Sequence, residues 1–350
     1  MKLNHFARRD ISWLKPSSIS DSSVISTRIR LARNINGCPM PGRADSDEMQ
    51  QCLNSVFKAA EQSSFFRNSK KIILKDCSEI DLRLLLERHL ISHGHAVSAY
   101  GGVIIDEREQ MSIMVNEEDH LRIQFISSGL NLFDSWEVIS RADDELSQKL
   151  EFAYSDKFGY LTACPTNTGT GMRASCQLHL PGLGMTGSLA GTMENINKMG
   201  MVVRGLYGEG TRVMGNVLQI SNQVTLGVSE RRIIDSLKRL VSQVIAREKK
   251  VCAGLYEADR ESLKDAVCRS HGLLVNAHKI SFEEALDLMS TLRFGVYTGM
   301  LKCDLNMLNN LMIAIQPSHI EQIENLRMSD SERDIARARI IRDTLRKNSV

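Results

Sequence analysis

The sequence predicts an α+β fold, an antiparallel sheet flanked by helices, joined to an all-α C-terminal domain. Three observations predict it. Up to about Gly227, segments of alternating apolar and polar residues mix with helical patterns but never in strict βαβ order, which favours an antiparallel sheet backed by helices. Beyond Gly227 the pattern becomes wholly helical. At 350 residues the chain is also long for one hydrophobic core, so two domains are expected.

Residues 1–20 are polar and Ser-rich, include Pro16, and read as a loosely held arm. A helical pattern begins at Ser46 and carries Met49, Leu53, Val56, Phe57 and Ala60 on one face. A second, short helix covers Leu82 to Ile91. The period then changes from helical to alternating. Val103–Ile105 and Met111–Val115, joined by the polar turn Asp106–Gln110, predict a hairpin. Leu121, Ile123 and Phe125 alternate with Arg122 and Gln124, a strand with polar groups on one face. Leu178 and Leu180 repeat the alternation, as do Val217, Gln219 and Ser221 against Leu218 and Ile220. Ile233, Ile234, Leu237, Leu240, Val241, Val244 and Ile245 then form one helical stripe. Ser281 with Glu284 is a capping box that starts a helix bearing Phe282, Leu286, Met289 and Leu292, with Gly295 expected just past its end. Ser329 with Glu332 opens another. The expected organisation is an arm (1–20), a mixed α+β domain (21–253) and a helical domain (254–350), with no internal repeat.

Composition excludes several functions. Lys and Arg number 44 against 42 Asp and Glu, a formal charge of +2. A nucleic-acid or membrane-surface binder is expected to carry a strong basic excess, so neither partner is expected here. The eight Cys residues are scattered without a Cys-x-x-Cys pair, the N-terminus has no signal-like apolar core, and no stretch approaches membrane-spanning length. A reduced, cytoplasmic protein is the expectation.

Chemistry concentrates in a few segments. Cys164–Pro181 packs a thiol, two Gly and Arg173 ahead of an alternating strand, and Gly169 and Gly171 read as letting backbone amides approach an anion. It is not a P-loop, because Met172 and Arg173 stand where Lys and Ser or Thr belong, and Ala174 breaks the dinucleotide fingerprint. A Gly-rich surface turn is the ordinary alternative. In Ser26–Arg33, Arg28 and Arg30 point to one face of a strand and can converge on a polyanion. Asn116–Arg122 joins an acidic run to Arg122, and Arg204–Gly210 sets Glu209 among three Gly. Singly, an Arg on a strand ordinarily pairs with a surface carboxylate, and an acidic run is ordinarily a solvated turn. Together they fit phosphoryl transfer, which needs an Arg or metal clamp and carboxylates that position a nucleophile. A guanidinium nucleophile has the greatest need of carboxylates, since its pKa exceeds about 12 and its lone pair is delocalised.

At this point the residues resemble a known family. Ser26–Arg33, Asn116–Arg122, Cys164–Asn167 with Arg173–Ser175, Arg204–Glu209 and Ser221–Gly227 are similar, in order, to motifs of the phosphagen (guanidino) kinases, most closely their bacterial protein-arginine kinase branch. The resemblance spans roughly Val24 to Leu226. It implies a phosphagen kinase-like catalytic domain that uses ATP with Mg2+ bridging the phosphates and few direct protein ligands. Arg28, Arg30, Arg122, Arg173 and Arg204 would clamp the phosphates, with His89 near the base or ribose. The stretches Ser26, Thr27, Arg28, Ile29, Arg30, then Arg173, Ala174, Ser175, Cys176, Gln177, then Arg204, Gly205, Leu206, Tyr207, Gly208, Glu209 would line the nucleotide site. Glu209 would be the base, Glu118 the second carboxylate on the guanidinium, and Cys164 a thiol beside the substrate. For Cys176 a buried small hydrophobe is the better reading. His89, His93 and His95 lack a Cys or acidic partner to complete a zinc site.

Small-molecule members of the family carry a helical domain ahead of the Ser-Thr-Arg-Ile-Arg motif. Here that motif begins at Ser26, and the helical domain comes last, so the site is expected to admit an arginine on a protein. Arg333, Asp334, Ile335, Ala336, Arg337 and Ala338 match the Arg-Asp-x-x-Arg-Ala motif by which that branch binds phosphoarginine allosterically, although periodicity alone gives an ordinary charged helix face. Thr168 and Val228 depart from the usual pattern without removing a proposed catalytic group. The resemblance implies protein substrates with exposed arginines, marking for a ClpC-type unfoldase in stress response and protein quality control, an activating adaptor, and a homodimer. A free-arginine kinase and a catalytically silent phosphoarginine-binding adaptor are the competing readings.

Overall fold

The structure, a computed structural model, describes residues 3–16, 23–205 and 213–348. The chain opens with α1 (Asn4–Ala7) and a 3-10 turn at Ser12–Leu14, then enters β1 (Val24–Arg33), α2 (Ser46–Glu61), β2 (Lys70–Ile73), α3 (Glu79–Glu87) and α4 (His93–Ala96). There follow β3 (Gly102–Ile105), β4 (Met111–Val115), β5 (Leu121–Ser128), α5 (Leu132–Ser147), β6 (Tyr154–Ser155), β7 (Gly159–Tyr160) and β8 (Met172–His179). Next come α6 (Pro181–Met185), α7 (Leu189–Lys198), β9 (Met201–Gly205), β10 (Val217–Asn222) and α8 (Glu230–Ala258). The rest is helical: α9 (Arg260–Asn276), α10 (Phe282–Tyr297), α11 (Leu305–Ala314), α12 (Pro317–Glu324) and α13 (Asp330–Asn348).

Eight strands make one sheet in the order β2-β3-β4-β5-β1-β8-β10-β9, and its pairings are all antiparallel. The two-residue period sorts the side chains of its central strands onto two faces. Ile29 and Leu31, Leu121 and Ile123, Met172, Ala174 and Leu178, and Leu218 and Ile220 are buried against Ile139, Ala142, Ile234, Leu237 and Val241 of α5 and α8. The opposite face carries the polar members of the same strands. This division, not composition, builds the site.

Several elements start where local chemistry dictates. Asp45 and Glu48 form a reciprocal capping box on α2, and Ser78 with Asp81 does the same for α3. The short helix expected at Leu82 to Ile91 is thereby moved upstream, ending at Glu87 ahead of the left-handed His89 (φ 59°). Ser281 caps α10 as expected, but Gly295 lies inside that helix, not beyond it. The reason is packing: a Cβ on Gly295 would stand 2.6 Å from Val267 of α9. The expected domain boundary after residue 253 falls within the continuous helix α8, whose end is at Ala258.

The arm differs most from expectation. Leu3, Phe6, Ile11, Trp13 and Leu14 are all buried. Ile11 N–H donates to Asn310 Oδ1 (2.8 Å), and Asn309 Nδ2 donates to the Leu14 carbonyl (2.7 Å). Ile11, Trp13 and Leu14 join the core of the helical C-terminal part, whereas Leu3 and Phe6 pack with Ile72, Leu84 and Val103, and a reading of the arm's own polarity reveals neither.

Candidate functional site

The polar face of the sheet collects the expected arginines. Arg28 and Arg30 lie two apart on β1, Arg30 stands opposite Arg173 of β8 and Gln124 of β5, and Arg122 stands opposite Ala32. Arg204 of β9 is opposite Gln219 of β10, which is opposite Gln177 of β8. Five guanidiniums from four separate segments are thus carried on one surface. Arg28, Arg30, His89, Arg204, Gln124 and Gln219 border a cleft of about 170 Å³.

The electrostatics of this cleft are those of an anion site. Burial, then repulsion from Arg122, Arg173 and Arg204, lowers the pKa of Arg28 to about 10, and burial, then Arg28, Arg122 and Arg173, lowers Arg30 well below its ordinary value. Among the described residues, neither Arg28 nor Arg30 has a carboxylate partner, and the Nε–H of each is buried without an acceptor. Arg28 Nη2 donates to Gln219 Oε1 (2.8 Å). Half-buried guanidiniums with unpaired Nε–H groups and no direct ion pair are costly, and a polyphosphate supplies both charge and acceptors. His89 is lowered to about 3 by burial and by Arg28 and Arg30, so it is neutral at physiological pH. Gln124 Nε2 fixes the His89 carbonyl (2.7 Å).

Not every residue of the expected nucleotide stretches faces this cleft. Thr27, Ile29, Ala174 and Cys176 are on the apolar face, because they alternate with Arg28, Arg30, Arg173 and Ser175. Thr27 Oγ1 lies 3.8 Å from Cys176 Sγ and donates to the Gly129 carbonyl, and burial raises the Cys176 thiol to about 12. Ser26, Ser175 and Gln177 do lie on the polar face. Leu206, Tyr207, Gly208 and Glu209 lie outside the described residues.

The turn between β4 and β5 shows an economy of exposure. Asn116 is buried with φ 58°, its Nδ2 donating to the carbonyls of Met49 (2.8 Å) and Tyr100 (3.1 Å). Glu117 accepts from Arg122 Nη1 (2.6 and 2.7 Å) and from Ser92. Burial alone would raise the Glu117 carboxyl, but the Arg122 charge and these hydrogen bonds hold it below its ordinary value. Asp119 Oδ1 accepts from Ala163 N–H (2.6 Å) and Asn34 Nδ2 (2.7 Å), while His120 bonds Ile35 N–H (3.1 Å) and the Pro39 carbonyl (2.8 Å). Glu118 alone of the five is exposed. The Asp119–Ala163 bond also brings the loop bearing Cys164 beside this turn. Cys164 Sγ is 3.0 Å from Thr166 Oγ1, and Thr225 Oγ1 ties the loop by donating to Thr166 or Thr168 carbonyls (2.8 Å each).

Gly169 and Gly171 have a different task from the anion cradle expected of them. Both have positive φ (113° and 63°). A Cβ on Gly169 would stand 2.3 Å from the Thr225 carbonyl, and one on Gly171 would stand 2.5 Å from Arg33 Nη1 and 2.6 Å from the Ala32 carbonyl. They let backbone approach backbone and so set the loop of Cys164.

On α13, Arg333 Nη1 pairs with Glu321 Oε1 of α12 (2.9 Å), and its other nitrogen pairs with Asp330. Arg337 is buried and donates to the Ile315 (2.9 Å) and Ile280 (3.0 Å) carbonyls and to Asp334 Oδ1 (2.5 Å). Ile335 is exposed, whereas Ala336 and Ala338 are buried. Both arginines of the motif therefore have internal partners.

Sequence reasoning missed Glu117, Gln124 and Gln219 as functional groups. The period of β5 and β10 carried a signal for the two glutamines, since they share parity with site residues; nothing local separated Glu117 from Glu118. Among the described residues no cluster of three or more His, Cys, Asp or Glu side chains is arranged to hold a metal, and no helix is long and apolar enough to cross a membrane.

Comparison with known proteins agrees with this geometry. Residues 48–251 match the family model described as ATP:guanido phosphotransferase, C-terminal catalytic domain, and residues 260–350 match the protein-arginine kinase McsB C-terminal domain. The protein-arginine kinase of Halothermothrix orenii is 41% identical over 348 residues, covering 99% of each chain, and that of Bacillus subtilis is 37% identical over 349 residues, covering 99% of this chain and 96% of its own. Among solved structures, a lombricine kinase superposes with a TM-score of 0.58 at 23% identity over 71% of this chain and 74% of its own, a likeness of fold. The duplicated taurocyamine kinase of Schistosoma mansoni with bound transition-state analogue components gives 0.59 at 27% identity, over 69% of this chain and 35% of its own.

Proposed function

The chain belongs to the ATP:guanido phosphotransferases and, within them, to the protein-arginine kinases, and on that premise we propose that it phosphorylates arginine side chains of proteins with ATP. The observation that carries the reading is the set of five arginines displayed on one sheet face, with Arg28 and Arg30 in no direct ion pair among the described residues.

In the proposed reaction a guanidinium nitrogen of the substrate arginine attacks the γ-phosphorus of ATP. The P–N bond forms as the bond to the β,γ-bridging oxygen breaks, ADP leaves, and Glu209 takes the proton that the nitrogen sheds. Glu118, the one outward-facing member of its turn, holds the other side of the guanidinium. Cys164, on the loop that Asp119 fixes through Ala163 N–H, would stand on the same side of the guanidinium. Arg28, Arg30, Arg122, Arg173 and Arg204 bind and align the phosphates, which supplies positioning and charge stabilisation, the two main needs of phosphoryl transfer. Magnesium carried on the phosphates would neutralise further charge.

The finer reading extends to the cell. The modified proteins are handed to a ClpC-type unfoldase in cytoplasmic stress response and quality control, an adaptor activates the kinase, and the C-terminal helices form a homodimer. Phosphoarginine at Arg333 and Arg337 stimulates the enzyme by displacing Glu321 and Asp330 from Arg333. A phosphoryl group can pair bidentately with a guanidinium as a carboxylate does, and it carries up to about twice the charge.

The test is labelling of an unfolded, Arg-rich protein with γ-labelled ATP beside a reaction with free arginine. Acid-labile phosphate on the protein is expected, and Glu209→Ala is expected to lower it by at least about 100-fold. Strong turnover on free arginine alone would overturn the protein-substrate reading, and undiminished labelling by Glu209→Ala would overturn the base assignment.

A further inference from the structure

The polar face of β1 is graded along its length. Its Arg30 end is cationic, with Arg173 directly opposite and Arg122 two positions further on, opposite Ala32. Its Ser26 end is neutral, where Ser26 stands opposite Gln177 and Gln177 opposite Gln219. Ser26 to Arg30 spans about 13 Å at the rise of a strand, comparable with the length of a nucleoside triphosphate. A nucleotide whose phosphates meet Arg30, Arg122 and Arg173 therefore extends its base toward Ser26.

The end of that path is closed by a residue from an unexpected quarter. The 3-10 turn Ser12–Leu14 packs across β1 and β5, and Trp13 lines a small cavity with Ser26, Arg28, His89, Gln177 and Gln219. Trp13 is 1% exposed, its ring centroid is 5.8 Å from that of His89, and its indole Nε1–H has no hydrogen-bond partner. Buried indole N–H groups ordinarily find an acceptor. Here every other group bordering the cavity is paired, neutral or cationic, and the missing acceptor is supplied when a nucleotide enters.

We propose that Trp13 is a nucleotide-binding residue: it walls the base end of the cleft, and its indole N–H donates to an acceptor on the bound nucleoside. The N-terminal arm thereby belongs to the ATP site. The C-terminal helices hold it there, through Asn309 on the Leu14 carbonyl and Asn310 on Ile11 N–H. This inference rests on the reading of the cleft as an ATP site and adds to it the part of the chain that recognises the nucleoside.

The chain has two tryptophans, so Trp136→Phe leaves Trp13 as the sole indole reporter. Binding of ADP and of inorganic tripolyphosphate is measured by calorimetry and by fluorescence of that protein. ADP is expected to shift the Trp13 emission, and tripolyphosphate to shift it far less. Trp13→Phe, which keeps a ring but removes the N–H, is expected to weaken ADP about five- to tenfold with tripolyphosphate affinity unchanged. Asn309→Leu, remote from the cleft, is expected to weaken ADP in the same selective way by loosening the arm. Equal ADP affinity of Trp13→Phe and wild type, or equal loss of both ligands, overturns the role of Trp13. Arg30→Ala is the control for the cleft itself: if wild type binds neither ligand, or Arg30→Ala binds both as wild type does, the ATP-site reading fails, and the Trp13 inference with it.

Discussion

Glu117 and Glu118 are adjacent and chemically identical, yet the fold gives them different work. Glu117 is turned inward onto Arg122 and Ser92, and Glu118 is left at the surface of the turn. Glu117→Gln is expected to cost about 1–3 kcal/mol, between the limits for exposed and buried ion pairs, and to lower kcat about 10- to 100-fold by releasing Arg122. Denaturant titration and steady-state kinetics check the two effects. Because the Glu117 carboxyl is held below its ordinary value, its contribution is present above that value and is lost as pH falls through the folded pKa. Sequence reasoning placed a carboxylate at this turn through family resemblance. It had no means of seeing Glu117 as the orienting partner, since the contact with Ser92 depends on where α4 packs.

At the scale of elements, the period of two did most of the work. It is visible in Arg28 and Arg30, in Arg122 and Gln124, and in Gln219 and Ser221, and it correctly separates the cleft face from the core face. It also shows why an unbroken stretch is a poor description of the site, since Thr27, Ile29, Ala174 and Cys176 alternate out of it. Loops were less legible. Gly169 and Gly171 signal close approach, but the sequence does not say to what, and the partners are Thr225, Ala32 and Arg33. Gly171→Ala is expected to destabilise by about 2 kcal/mol or more, from its left-handed φ and from the overlap with Arg33 and the Ala32 carbonyl. Arg33 is buried in a bidentate pair with Asp143 (2.8–3.1 Å), so the displaced guanidinium has nowhere to go. Melting temperature with labelling activity checks this; an unshifted melting temperature contradicts it.

Across the whole molecule, the helical C-terminal part holds two segments that border the arginine-lined sheet face. Asn309 and Asn310 hold the arm that carries Trp13. The N-terminus of α12 grips Glu87, at the end of α3, through Ser318 N–H (2.8 Å), His319 N–H (3.0 Å) and His319 Nδ1 (2.8 Å), two residues before His89. Arg88 between them is buried on Glu109 (2.6 and 2.9 Å). Several histidines of this fold are buried in the neutral form. Burial, chiefly, lowers His89 to about 3, His95 to about 4, and His179 well below its ordinary value. As pH falls below about 6.5 the unfolded chain takes up protons there that the folded chain refuses, so stability falls as pH falls. Each such histidine contributes a slope of about 1.4 kcal/mol per pH unit once well below its unfolded pKa. Denaturant midpoints at pH 7 and pH 5.5 are expected to show a clear loss at the lower value; equal midpoints contradict it.

Local and periodic features are legible in the chain alone: which residues share a strand face, where capped helices begin, and which family motifs occur in what order. Each of these is written within a few residues, where φ/ψ preference, capping and alternation act. Tertiary packing set which of two adjacent carboxylates faces solvent, what the close-approach glycines approach, and that a polar-looking arm brings a buried tryptophan beside Arg28 and His89. Those outcomes depend on contacts between residues up to 299 positions apart, such as Ile11 with Asn310, and no local pattern records them.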